Sequence, residues 1–96
     1  MWILESADAD GRLTFRLGRG AVRTVGRATR ADFIVDAALV SRLHCRLTAG
    51  AIGLEVVDLD STNGTFVNGE RADRATLQHG DRLGIGRVDL FVEKSA

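Results

Sequence analysis

The 96-residue chain has no proline, one cysteine, one lysine, five aromatic residues and no net formal charge. Each scarcity removes a class of protein. A lone Cys45 cannot build a disulfide framework within the chain. Cys45, His44 and His79 lack the paired spacing of a zinc site, so neither a metal nor a cofactor is expected. Thirteen basic residues offset thirteen acidic ones, which argues against broad electrostatic capture of nucleic acid or a membrane surface. It does not argue against a small, local positive site. The arginine-bearing runs GRGAVRTVGRATR and GERADR lack the interleaved rings of a nucleic-acid groove and read as solvated faces. No apolar run approaches ~18 residues, so no membrane span is expected. The start, MWILESADAD, has neither the basic residues nor the apolar stretch of a signal peptide. A cytoplasmic protein, or a cytoplasmic module of a larger chain, is the expectation. Arginine supplies every basic residue except Lys94, which with the missing proline hints at a high-GC bacterial source.

The chain does carry a core. Its composition is 45% hydrophobic, and residues 1–96 fit one domain. Apolar and β-branched pieces are short, and glycine-bearing turns separate them, from Asp10-Gly11 and Gly18–Gly20 to His79-Gly80 and Gly84–Gly86. Candidate strands are Trp2–Glu5, Leu13–Leu17, Arg23–Val25, Phe33–Val35, Cys45–Thr48, Gly53–Asp58, Thr65–Val67, Ala75–Leu77, Arg82–Ile85 and Val88–Val92. In RLTFRL, Leu13, Phe15 and Leu17 share one face. LEVVDL has bulk on both faces and reads as a central strand. No window keeps a 3.6-residue period. Short strands at this spacing predict an all-β, two-sheet antiparallel sandwich or a barrel. Only Ser6–Gly11 and Lys94–Ala96 read as mobile.

Three stretches carry chemistry. The first is VGRATRADFIV, with Gly26 and Arg27. The second is VSRLHCRL, with Ser41, Arg42 and His44. The third is DLDSTNGTFVNGE, with Ser61, Thr62 and two Asn-Gly pairs, Asn63-Gly64 and Asn68-Gly69. Asn-Gly is the strongest short-range signal for a hairpin turn. Loops of a sandwich gather at its two ends. If these three share an end, they make a donor-rich, positive cup suited to a phosphate ester. An uncharged Asn beside it can pair with a peptide backbone through both donor and acceptor.

In order and spacing, the three stretches resemble the forkhead-associated (FHA) domain. That family runs Gly-Arg, then Ser-x-x-His, then Ser/Thr-x-Asn-Gly-Thr-Phe-x-Asn-Gly. Here these are Gly26-Arg27, Ser41-Arg42-Leu43-His44 and STNGTFVNG from Ser61 to Gly69. LQHGDRLGIG resembles a later segment of the family, so the likeness covers nearly the whole chain. The resemblance implies a sandwich of about eleven strands whose end loops bind phosphothreonine peptides. Carried over by residue, it implies phosphate contacts from Arg27 and Ser41 and a phosphate or peptide contact from Arg42. Thr62 would hold the phosphate or shape the pocket for the threonine methyl, and Asn63 would pair with the peptide backbone. Gly26, His44, Gly64, Asn68 and Gly69 would support the loops from behind. The implied partner is a phosphothreonine-containing protein or peptide, a substrate of a Ser/Thr kinase. In some members an arginine two residues before the serine selects an acidic residue on the peptide. Leu39 stands there, so no acidic preference is expected from that position and an apolar one fits better.

Two other readings compete. The same fold can serve as a scaffold that binds a protein partner without phosphate. Ser41, His44 and Asp58 or Asp60 also supply the residue types of a hydrolytic triad. However, Ser and His three apart on a strand-like segment face opposite sides, and no Gly-x-Ser-x-Gly elbow is present. A binding module, not an enzyme, is expected. His44 is expected to be partly buried and to tie a loop to the backbone, and Cys45 to face the core.

Overall fold

A computed structural model describes residues 1–6 and 12–95. Among them are eleven strands and no helix: β1 (Trp2–Ser6), β2 (Thr14–Leu17), β3 (Val22–Gly26), β4 (Phe33–Ile34), β5 (Cys45–Ala49), β6 (Leu54–Asp58), β7 (Thr65–Val67), β8 (Glu70–Arg71), β9 (Arg74–Leu77), β10 (Arg82–Ile85) and β11 (Val88–Lys94). They form two sheets, ordered β2-β1-β11-β10-β7-β8 and β4-β3-β5-β6-β9. The all-β sandwich expected from the sequence is therefore present. One pairing departs from an antiparallel rule. β4 runs parallel to β3, with Val25 beside Phe33 and Gly26 beside Ile34.

Strand alternation builds the core. Along β11, Val88, Leu90 and Val92 are buried while Asp89, Phe91 and Glu93 are exposed. Leu4, Leu17, Leu47, Leu54, Val56, Leu77, Leu83 and Ile85 point into the same layer between the sheets, and all are essentially inaccessible. Burying one such side chain contributes on the order of 1.5–3 kcal/mol. Stacked rings of Phe15 and Phe33, with centroids 4.5 Å apart, close one side between the edge strands β2 and β4. As expected, β6 lies inside its sheet, flanked by β5 and β9, and Cys45 is fully buried.

The ends differ from expectation. Ser6 is a buried member of β1, where its hydroxyl accepts from Leu13 N. Lys94 closes β11, its ammonium lies 5.4 Å from the Trp2 ring centroid, and Ser95 N donates to Met1 O. Residues 7–11 and 96, the rest of the stretches read as mobile, and the Asp10-Gly11 turn lie outside the described residues.

Candidate functional site

Three connections meet at one end of the sandwich: β3–β4, β4–β5 and β6–β7. Their meeting begins with Gly26. A side-chain carbon there would be driven into the Arg42 carbonyl, so only glycine lets the end of β3 lie against the β4–β5 connection. Two backbone bonds then zip the segments together, Arg27 N to Ser41 O (3.0 Å) and Ala28 N to Arg42 O (3.1 Å). Arg27 also donates from Nε to Val40 O (3.1 Å), which fixes the side chain and leaves its terminal nitrogens for a ligand.

His44 joins the second and third connections. It is fully buried, its Nδ1 accepts from Ser41 N at 3.0 Å, and its Nε2 stands 2.8 Å from Gly64 O. A backbone N–H on one nitrogen and a carbonyl on the other admit one arrangement, a neutral ring with its proton on Nε2. The histidine is thus more deeply buried than the sequence implied, and its ring links backbone groups of the two connections.

The β6–β7 connection is organised around Asp58, at the end of β6. Its carboxylate accepts from Ser61 Oγ (2.6 Å), Thr65 Oγ1 (2.7 Å) and Ser61 N (3.1 Å). Burial opposes the charge, but these hydrogen bonds outweigh it and hold the carboxyl below its ordinary range. Ser61 Oγ in turn accepts from Gly64 N at 3.0 Å. Ser61 is therefore a buried strut, not a contact. Gly64 adopts φ +91°, a conformation glycine takes at no steric cost.

The two Asn-Gly pairs differ in kind. Asn68 (φ +51°) and Gly69 (φ +87°) form a two-residue reversal between Val67 and Glu70, with the positive φ values of a type I′ hairpin turn. Asn68 is pinned further, its Oδ1 accepting from Arg82 N and its Nδ2 donating to Asp81 Oδ1. Asn63-Gly64 is not a hairpin turn. It lies where the chain passes from β6 in one sheet to β7 in the other.

Four of the five predicted contact residues converge. Arg27, Ser41, Thr62 and Asn63 line one open depression of about 440 Å³. Ser41 Oγ accepts from Thr62 N at 3.0 Å, so its own O–H is left to donate outward. Asn63 gives one N–H to Leu39 O (3.1 Å) and keeps Oδ1 and a second N–H. The Thr62 side chain is exposed. Arg42 falls in a neighbouring depression, about 470 Å³, which Arg27 shares.

Sequence reasoning passed over Asp36 as a wall of the first depression, whereas Leu39, singled out there for peptide selectivity, lines it as well. It also missed the anchoring of Leu39, whose φ of +70° is tolerated where the carbonyl is held by Asn63 and the β10–β11 turn at Gly86 packs beneath. Among the described residues nothing forms a Ser-His-Asp relay. Ser41 meets His44 through its backbone N, and Asp58 is spent on Ser61 and Thr65. The reason differs from the one expected, since residues 40–44 are not strand and β5 begins only at Cys45.

The chain and its fold are similar to those of known proteins. A family model of the FHA domain matches residues 23–86. The chain is 49% identical over 80 residues to the ABC transporter ATP-binding/permease protein Rv1747 of Mycobacterium tuberculosis, covering 83% of this chain and 9% of that one. It is 40% identical over 67 residues to the oxoglutarate dehydrogenase inhibitor of Corynebacterium efficiens, covering 70% of this chain and 47% of that one. It thus spans less than half the length of either relative. Among solved structures, one from a structural and functional analysis of phosphothreonine-dependent FHA domain interactions superposes with a TM-score of 0.89 at 29% identity. That match covers 99% of this chain and 97% of that one.

Proposed function

The chain belongs to the forkhead-associated (FHA) domain family, and from that premise we propose that it is a recognition module for phosphothreonine peptides. The observation that carries the reading is the convergence of Arg27, Ser41, Thr62 and Asn63 on one depression, each with hydrogen-bonding capacity left over. In this reading the Arg27 fork and the Ser41 hydroxyl hold the phosphate, and Arg42 adds a contact from the side. Thr62 faces the threonine methyl or the phosphate. Asn63 pairs with the peptide backbone, while Gly26, His44, Gly64, Asn68 and Gly69 fix the loops. Donor groups already held in place lose little freedom when the ligand arrives, so more of each bond appears as affinity. The module binds and does not turn over its ligand. Its partners are substrates of Ser/Thr kinases, met in the cytoplasm.

Titration of one peptide in three forms, with phosphothreonine, phosphoserine and threonine, tests the reading. Only the phosphothreonine form should bind tightly, and binding should weaken with added salt because the site is open. Arg27→Ala should cost on the order of 2–4 kcal/mol, roughly 30- to 1,000-fold in Kd. Equal binding of the phosphorylated and bare threonine peptides would sink the proposal in favour of a phosphate-independent scaffold.

A further inference from the structure

We propose that Asp36 makes the first depression selective for phosphothreonine peptides that carry a lysine or arginine near the phosphothreonine. A carboxylate that lines a depression read as a phosphate site calls for a neutralising partner. The domain itself supplies none. Asp36 is exposed, and the ion pairs among the described residues, Arg74–Glu55 and Arg82–Asp89, draw on neither Asp36 nor Arg27. Asp32, Asp58 and Asp81 differ, because each spends its carboxylate on a backbone N–H, of Thr24, Ser61 and Gln78 in turn. The Asp36 carboxylate holds no such bond among the described residues, so a cation brought by the ligand has it to itself.

The wall that begins at Asp36 is one run of chain, Asp36-Ala37-Ala38-Leu39-Val40-Ser41, and every residue of it lines the depression. The run is anchored along its length. Val35 N donates to Gly26 O (2.8 Å) and Ala37 N to Val35 O (3.1 Å), so Asp36 stands in the middle of a tight reversal tied to the end of β3. Val35 and Val40 are buried, and Asn63 Nδ2 holds Leu39 O. Between the carboxylate and Ser41 the exposed side chains are Ala38 and Leu39, an apolar shelf. Lysine and arginine lay an aliphatic stem along such a surface and keep the charged head at a polar group. A phosphothreonine at Arg27 and Ser41 with a basic neighbour at Asp36 therefore complements both charges of the depression. A glutamate in that place meets Asp36 as a like charge, which costs affinity.

The inference rests on the phosphothreonine reading of the same depression, and the test separates the two. The domain is titrated with a phosphothreonine peptide flanked by alanines. Lysine, arginine, norleucine or glutamate is then moved singly from four residues before the phosphothreonine to four after it. Norleucine has the stem of lysine without the charge. At least one register should bind lysine and arginine roughly two- to fivefold tighter than norleucine at low salt, up to about 1 kcal/mol. Glutamate should be weakest there, and the contrast should fade as salt is added. In Asp36→Asn the preference for lysine over norleucine should disappear, and in Asp36→Lys glutamate should become the tightest of the four. Each comparison is made within one domain, so a change common to all peptides cancels, and melting curves confirm that both variants are folded. If the phosphothreonine peptides bind but no register favours lysine over norleucine, the selectivity is refuted and the phosphate site stands. A preference that survives Asp36→Asn refutes it equally, even where that variant weakens every peptide alike, since Asp36 then only supports Arg27. Phosphothreonine peptides that bind no better than their bare threonine forms would remove the underlying reading, and this inference with it.

Discussion

His44 is the sharpest test of how the loops are held. Its ring bridges Ser41 N and Gly64 O from a fully buried position, so removing it orphans two backbone groups and leaves a void. An orphaned buried group costs about 1–3 kcal/mol, and the lost ring adds about 2 more. His44→Ala should therefore lose about 4–8 kcal/mol, a large part of the roughly 5–14 kcal/mol available to a domain of this size. His44→Phe keeps most of the volume and loses only the bonds, about 2–6 kcal/mol. His44→Asn can still accept from Ser41 N, and His44→Gln can still donate to Gly64 O, so each should fall between Phe and the native residue. Urea denaturation reads the order: native, then Asn and Gln, then Phe, then Ala. Phosphothreonine affinity should drop even in variants that remain folded, because both anchored loops carry proposed contacts. Nitrogen-15 NMR should find Nδ1 unprotonated and Nε2 protonated. A His44→Phe domain with an unchanged urea midpoint would refute the bridging role.

Three further outcomes follow from the same geometry. Asn63→Ala should lose most peptide affinity with little change in Tm, whereas Asn68→Ala should lower stability by about 1–2 kcal/mol and bind normally once folded, since Asn68 holds a positive-φ turn and two bonds; the opposite pattern in paired melting and titration experiments would reverse the assignment of the two turns. Asp58 has a folded pKa below its ordinary 3.8, so its stabilisation is fully present above that value and is lost as pH falls through the folded pKa; acid titration of the fold should show a shallower loss in Asp58→Asn, from a lower starting stability. Cys45 is buried beside Asp58, and burial first, then that charge, push its thiol up to about 12; a thiol reagent should leave it unmodified in the native domain and label it only after urea.

Much of this was legible in the chain because it is repeated or local. Alternation in RLTFRL and the mixed faces of LEVVDL translate directly into one strand with a single buried side and one inside its sheet. β8 was missed because it is Glu70–Arg71, two exposed charged residues with no apolar period to read. The parallel β3–β4 pair was missed because its register spans only two residues, Val25 beside Phe33 and Gly26 beside Ile34. Ser6 and Lys94 looked like terminal fraying, yet both are ladder residues whose partners lie at the other end of the chain. Asp58 was weighed only as a triad member. Its spacing to Ser61 was the available signal, an acidic residue three before a hydroxyl and its N–H.

These polar residues divide by what their side chains have left to offer. Asp58, Ser61, Thr65 and His44 bond within the domain, and among the described residues no buried side-chain polar atom lacks a partner. Arg27, Ser41 and Asn63 spend one bond each on position and retain the rest. A side chain that is half satisfied is held in one orientation yet still hydrated, and exchanging its water for a ligand oxygen loses little rotamer freedom. The sequence names the residue types on both sides of that division. Which side each falls on depends on where the carbonyls of Leu39, Val40 and Gly64 arrive, and only the folded backbone sets that. This is why Ser61 and Thr62, adjacent and chemically alike, end as strut and rim.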